Sequence, residues 1–326
     1  MAMKRKIKVA AGAAEMPIGQ AIDEFVVEKE AAHLKPKTIE NYLQSLRLFM
    51  ECEGLSAETP LNDITLQNIY HWIGKMTENG VSPSSINHYL RDCRCIFYWC
   101  MERDYMEKFQ VKMVEKQEEP PKLFDNEDIE ALLEKPHKPT ATNDYFTEWR
   151  TWAVVNWIMG TGSRCSSIVE VRMGDIDFAA GEVAIRHTKN KKPMILPIST
   201  SLETALKEYI RMFRKGADDD DYLFCNIGDE QLTTNALRHS FQRYCASRGV
   251  NQTNLHGLRH SFAKGWIRSG GDVFRLQKIL GHSSLDMSRK YVVIYSEDLK
   301  DDYDRYSPLD NIKKGQSRKK AVKAKI

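Results

Sequence analysis

LHGLRHSFAKGWIRSGGDVFRLQKILGHSSLDMSRKYV, residues 255–292, joins two helical patterns to two short segments rich in His and Arg. In HGLRH, His256 and Arg259 stand at i, i+3 and so share one helix face. DVFRLQKILG reads as a second helix that Gly281 ends, and His282-Ser283-Ser284 supplies the cap of a short one after it. Tyr291 stands at the end of that short helix, nine residues after His282. Upstream, EWRTWAVVNWIMG is apolar nearly all round (Trp149, Trp152, Val155, Trp157, Ile158), which marks a helix buried in a core. TGSRC follows, with Arg164 just after the Gly160/Gly162 turn. Each segment alone is weak. With 9 His and 48 Lys+Arg, roughly one His–Arg pair at this spacing is expected by chance.

Working outward, 326 residues favour two domains over one. After a basic lead-in at 1–16, residues 17–110 read as helices only. PIGQAIDEFVVEKEAAHL sets Ile18, Ile22, Phe25 and Val26 on one apolar face, and Pro36 starts a helix with Tyr42, Leu46 and Phe49 in one stripe. Asp63 or Thr65 caps a third helix that stops at Asn79-Gly80, and Pro83 opens a fourth through Ile86, Leu90 and Phe97. KQEEPPKLF (116–124), with two prolines and four charges, marks an inter-domain linker, placed at 111–122. The second domain, 123–310, is mixed. DNEDIEALLEK is a capped helix; residues 182–187 and 193–198 are two strands joined by a loop at Thr188–Lys192; further helices follow to Leu280. A basic tail closes the chain at 311–326. The expected fold is mainly α with a small antiparallel β-sheet, in two lobes.

Two arginines, two histidines, a loop lysine and a tyrosine form a coherent chemical set. A phosphodiester under attack gains negative charge on its non-bridging oxygens, and paired guanidinium forks suit that geometry. A tyrosine hydroxyl with a pKa near 10 is ionised at neutral pH in only about one molecule in a thousand. It therefore needs cationic surroundings and a base to become a nucleophile. The leaving 5′ oxygen needs a proton, which a lysine on a hairpin can supply.

On these residues the chain resembles the tyrosine recombinase (phage integrase) family. TGSRCSSIVEVRMGDID is similar to its first arginine box, HTKNKKPMILPI to its lysine hairpin, and HGLRHSFAKGWI with LGHSSLDMSRKYV to its second box and nucleophile segment. TIENYLQSLRLF and SSINHYLRDCRCIFYW more loosely resemble its helical core-binding domain. The resemblance implies a two-domain C-shaped clamp on double-stranded DNA and a site-specific strand transferase acting as a homotetramer, with accessory DNA-bending proteins in some systems. By it, Arg164 and Arg259 clamp the scissile phosphate, His256 handles a proton, and Lys189 protonates the departing 5′ oxygen. His282 then hydrogen-bonds the phosphate, and Tyr291 attacks to leave a 3′-phosphotyrosine. Lys191 and Lys192 share the loop with Lys189, and Tyr295 lies one turn past Tyr291; family spacing favours Lys189 and Tyr291. Three residues after the first arginine the family commonly has an acid, where this chain has Ser167. The residues around 297–306 are expected to form the helix that, in this family, docks on a neighbouring protomer. The short lead-in suggests a Xer-like layout or a compact mobile-element integrase, without an arm-type DNA-binding domain. In the first lobe, Lys35, Lys37, Arg91 and Arg94 are candidate phosphate contacts.

Bulk composition adds limits. Lys+Arg 48 against Asp+Glu 45 leaves +3, too little to argue for nucleic acid by itself. Seven cysteines, an odd number with no secretory spacing, suggest a reducing cytoplasm, in the nucleoid if DNA is the partner. Cys93, Cys95 and Cys100 lie in one helical pattern and lack the paired spacing of a zinc site. Neither a metal nor another cofactor is expected, and no segment reads as a membrane span or signal peptide. Two rivals stand beside the recombinase. One is a DNA-binding regulator that keeps the fold without turnover; the other is a type IB topoisomerase, which shares the covalent chemistry.

Overall fold

The computed structural model describes residues 16–116, 122–136, 144–186, 193–282, 284–285, 287–288 and 291. The chain divides into two compact units, at Glu119/Pro120. Among the described residues, four α-helices build the first unit: α1 (Ile18–Ala31), α2 (Pro36–Glu53), α3 (Leu66–Glu78) and α4 (Pro83–Glu102). Proline opens α2 and α4 at a position where a missing N–H costs nothing and φ is already helical. Of the two capping candidates for α3, Thr65 is the one used; its N–H donates to Asn68 Oδ1 at 2.9 Å. The buried line on α1 runs Ile18, Ala21, Phe25, while Ile22 and Val26 are only partly buried. Ala21 sits between the two large side chains at i−3 and i+4, so the small residue marks the centre of the face. Phe49 holds the middle of this unit, edge-on to Trp72 (5.3 Å between centroids) and to Phe97 (5.5 Å). A buried hydrogen bond from Ser45 Oγ to Asp92 Oδ2 at 2.8 Å ties α2 to α4.

The second unit is mixed. Its helices are α5 (Asn126–Leu133), α6 (Asp144–Thr161), α7 (Cys165–Ile168), α8 (Thr200–Phe213), α9 (Thr234–Ser247), α10 (Leu255–Arg268) and α11 (Val273–Leu280). The tryptophan-rich α6 is the core element, with Trp157 fully buried and edge-on to Phe224 at 5.7 Å. The strands β1 (Ile176–Asp177), β2 (Glu182–Ile185) and β3 (Met194–Pro197) form an antiparallel sheet in the order β1-β2-β3. Val183 pairs with Leu196 and Ile185 with Met194, as two alternating strands require. The third strand, β1, is two residues long and carries no readable period. Its partner β2 follows a tight turn in which Asp177 Oδ1 accepts the N–H groups of Ala179 and Ala180. The loop with Lys189, Lys191 and Lys192, the expected helix near 297–306 with Tyr295, the lead-in at 1–15 and the basic tail lie outside the described residues. Among the described residues no helix is long and apolar enough to cross a membrane.

Candidate active site

α6 ends at a turn where Gly162 has φ +63°, a left-handed conformation that L side chains rarely adopt. A Cβ there would lie 2.6 Å from Phe262 Cδ1 and 2.7 Å from Leu280 Cδ2. The turn is thus pressed against both α10 and α11, and Arg164 follows it as the N-cap residue of α7. Arg259, only 3% exposed, crosses the same junction. Its Nη1 donates to Gly162 O at 2.7 Å and its Nη2 to Leu280 O at 2.7 Å, so one guanidinium pins the α6 turn to the end of α11. Arg164 Nη2 reaches Gly281 O at 3.5 Å, just beyond it. Gly281 closes α11 with φ +58°, turning the chain so that His282 faces back toward Arg259.

The same Nη2 of Arg259 lies 3.1 Å from His282 Nε2. A guanidinium has no acceptor, so Nε2 must accept. His282 Nδ1 therefore carries the ring hydrogen and donates to Ser288 Oγ at 2.8 Å. That is the neutral tautomer, and burial followed by the Arg259 and Arg164 charges lowers the His282 pKa to about 4. Tyr291, 4% exposed, stacks parallel to His282 with centroids 6.5 Å apart. Its hydroxyl lies 2.6 Å from His260 Nδ1. The ring of His256, one turn before His260 on α10, meets it edge-on at 4.5 Å.

Charge decides what this pocket can hold. Burial, then the neighbouring Arg164, lowers the Arg259 pKa to about 9, so it stays protonated at neutral pH beside a second cation. Burial lowers Arg164 as well. Among the described residues neither guanidinium forms an ion pair with a carboxylate. Desolvation, then His260, Arg259 and Arg164, holds His256 below the usual histidine range. His256 is itself exposed, so solvent offsets part of that shift; its direction, a neutral ring at pH 7, is what carries the argument. Two adjacent guanidiniums withdrawn from water without a counter-charge make an anion site, because an anion between them relieves both repulsion and desolvation. The neighbouring imidazoles of His256, His260 and His282 are neutral at pH 7 and can donate or accept a proton.

Arg164, Arg259, His282 and Tyr291 are therefore brought together, and His256 joins through His260. Sequence reasoning did not single out His260, although its i+4 relation to His256 was a usable signal. Ser167 is buried, and its N–H donates to Arg164 O at 2.9 Å as part of the α7 turn. The four basic residues of the first unit have local surroundings. Lys35 is exposed at the start of α2, Lys37 pairs with Glu40 at 2.8 Å, Arg91 Nε donates to Asn87 O at 2.9 Å, and Arg94 lies over the Tyr98 ring. Among the described residues one group, Cys52, Glu53 and His71, clusters potential metal-ligand atoms. Its carboxylate is already hydrogen-bonded to His71 and Asn68.

Comparison with known proteins bears on the family and on the fold. The model of the phage integrase family matches residues 122–297. Tyrosine recombinase XerC of Oceanobacillus iheyensis is 26% identical over 309 residues, covering 91% of this chain and 97% of its own length. Tyrosine recombinase XerA of Pyrococcus furiosus is 27% identical over 300 residues, with the same coverage of both. The fold is that of the Tn1549 transposon integrase solved in complex with a circular intermediate DNA, with TM-score 0.68 and 20% identity over 85% of this chain and 95% of that one.

Proposed function

The chain belongs to the phage integrase family, and from that premise we propose that it is a site-specific DNA recombinase that cleaves and rejoins double-stranded DNA through Tyr291. The observation that carries this reading is the pair of guanidiniums, Arg164 and Arg259, which have no carboxylate partner among the described residues and stand beside a tyrosine hydroxyl and neutral histidines. Arg164 and Arg259 hold the scissile phosphate and balance the charge it gains in the transition state. Arg259 has no carboxylate partner among the described residues, so its charge is not neutralised, while its two carbonyl partners fix the orientation of the guanidinium. His282, whose Nε2 already faces Arg259, bonds a non-bridging oxygen of the phosphate once it is protonated or its ring hydrogen moves to that nitrogen. His256 handles a proton on the same face. Lys189 gives the departing 5′ oxygen its proton.

Attack by Tyr291 forms a 3′-phosphotyrosine and frees a 5′ hydroxyl. The linkage conserves the energy of the broken phosphodiester, so rejoining requires no ATP. The cationic side chains neutralise the phosphate, the task a metal ion performs elsewhere. Lys35, Lys37, Arg91 and Arg94 serve as backbone contacts from the first unit. The working assembly is a homotetramer on DNA in the cytoplasm, at the nucleoid, with DNA-bending proteins as accessory partners. The rival reading as a regulator without turnover leaves the pairing of a tyrosine with a buried cationic site without a use.

The test uses a pool of nicked duplexes of randomised sequence, from which strand cleavage strands the enzyme on its DNA. The wild type is expected to yield an SDS-resistant protein–DNA adduct enriched for one sequence, and Tyr291→Phe none. Absence of an adduct from both proteins would overturn the reading. Relaxation of any supercoiled plasmid without sequence preference would point to the topoisomerase.

A further inference from the structure

We propose that His260 is the base that takes the hydroxyl proton of Tyr291 as it attacks, a role separate from that of His256; the proposal rests on the recombinase reading above. The geometry is direct. His260 Nδ1 lies 2.6 Å from the Tyr291 hydroxyl, the distance of a strong O–H···N bond to the reacting atom itself. No comparable contact joins His256 to Tyr291 among the described residues; His256 reaches His260 ring to ring. Tyr291 is 4% exposed, so bulk water has poor access to its hydroxyl and a side chain is the natural acceptor.

The surroundings keep His260 ready to accept. Burial, then the Arg259 charge, lowers its pKa below the usual histidine range, so the ring is neutral at pH 7. The groups facing it are Arg259 and His256 on α10, Tyr291, and His282 beyond α11, which senses His260 in turn. None of these is acidic. With Nδ1 as the acceptor, Nε2 holds the ring hydrogen. In the step, the Tyr291 Oη–phosphorus bond forms while the phosphorus–O5′ bond breaks. The tyrosine proton passes to His260 Nδ1, and the 5′ oxygen leaves with a proton from the acid assigned to Lys189. The imidazolium so formed stands beside the new phosphotyrosine, and on rejoining it returns the proton to Oη. Arg259 opposes that imidazolium, which favours return of the proton over its loss.

The experiment measures adduct formation on the duplex recovered from the randomised nicked pool, from about pH 5.5 to about pH 9, alongside duplex binding by gel shift. His260→Gln keeps an acceptor that can hold the hydroxyl but cannot take a proton. It is expected to bind DNA as the wild type does, to form adduct about 100-fold more slowly at neutral pH, and to gain rate about tenfold per pH unit, as free hydroxide replaces the base. The wild type is expected to show an acid limb and a plateau. In His260→Ala, added imidazole is expected to restore adduct formation, a response that lost packing alone does not give. A Gln variant with the wild-type rate and profile would overturn the proposal, as would a loss of equal size at every pH. Failure of the wild type itself to form adduct would strike the recombinase reading first, and so is distinguishable from either result.

Discussion

Replacing Arg259 by lysine keeps the positive charge and removes the fork. In the structure that fork spans two carbonyls, Gly162 O and Leu280 O, each at 2.7 Å, and a single ammonium on a four-carbon stem reaches one of them at best. The other carbonyl stays in a buried junction without its charged donor. A hydrogen bond from a charged group contributes about 1.5–3 kcal/mol, so the loss is about 2 kcal/mol. Spread over a unit of about 200 residues, this lowers its melting temperature by about 4–8 °C. Differential scanning calorimetry of the full chain reads that shift in the transition of the second unit, with the first unit as an internal reference. The same variant, assayed for covalent adduct, is expected to lose about 100-fold in rate, since a mobile point charge replaces a guanidinium held in a fixed orientation beside the phosphate. A variant melting within about 1 °C of the wild type would refute the pinning role assigned to Arg259. An unchanged adduct rate would refute the clamp.

Gly162→Ala places a Cβ 2.6 Å from Phe262 Cδ1 at φ +63°, combining overlap with backbone strain. Chemical denaturation is expected to show a loss of about 2–4 kcal/mol, and a loss under about 0.5 kcal/mol would contradict the described turn. Arg150→Met removes the buried donors to Cys225 O (2.7 Å) and Ser240 Oγ (3.0 Å), with an expected cost of about 2–4 kcal/mol measured the same way; a neutral result would show that the site closes over its orphaned acceptors. His282 has a folded pKa of about 4 against an ordinary 6.5, so below about pH 6.5 the unfolded chain takes up a proton that the folded one refuses. Stability present above that pH is lost as pH falls toward about 4, and the decline of the urea midpoint over this window is expected to flatten in His282→Asn; an identical slope would refute the neutral ring.

Much of this architecture could be read from residues whose effect is local. Pro36 and Pro83 set helix starts, and Gly281 sets a helix end, through their own backbone preferences, while the Trp149–Ile158 run announced a helix with no polar face. Strand β1 was not legible because two residues cannot display a period of two, and its existence depends on pairing Ile176 with Val183 across a turn. The same distinction divides the site. Arg164, Arg259, His282 and Tyr291 stood out by type and spacing, and the structure brings them together. His260 did not, because its meaning comes from a partner 31 residues away in sequence, which only folding brings to 2.6 Å. Ser167 drew attention as a missing acid beside Arg164. Among the described residues the guanidinium pair has no carboxylate partner, which is consistent with a serine rather than an acid at this position.

The most direct test of the catalytic assignment is to identify the side chain that carries the DNA. Adduct trapped on the nicked duplex is digested with protease and nuclease, and the peptide bearing the residual nucleotide is sequenced by mass spectrometry. A 3′-phosphonucleotide on Tyr291 is the predicted result. The same mass on Tyr295, or on any other residue, would contradict it.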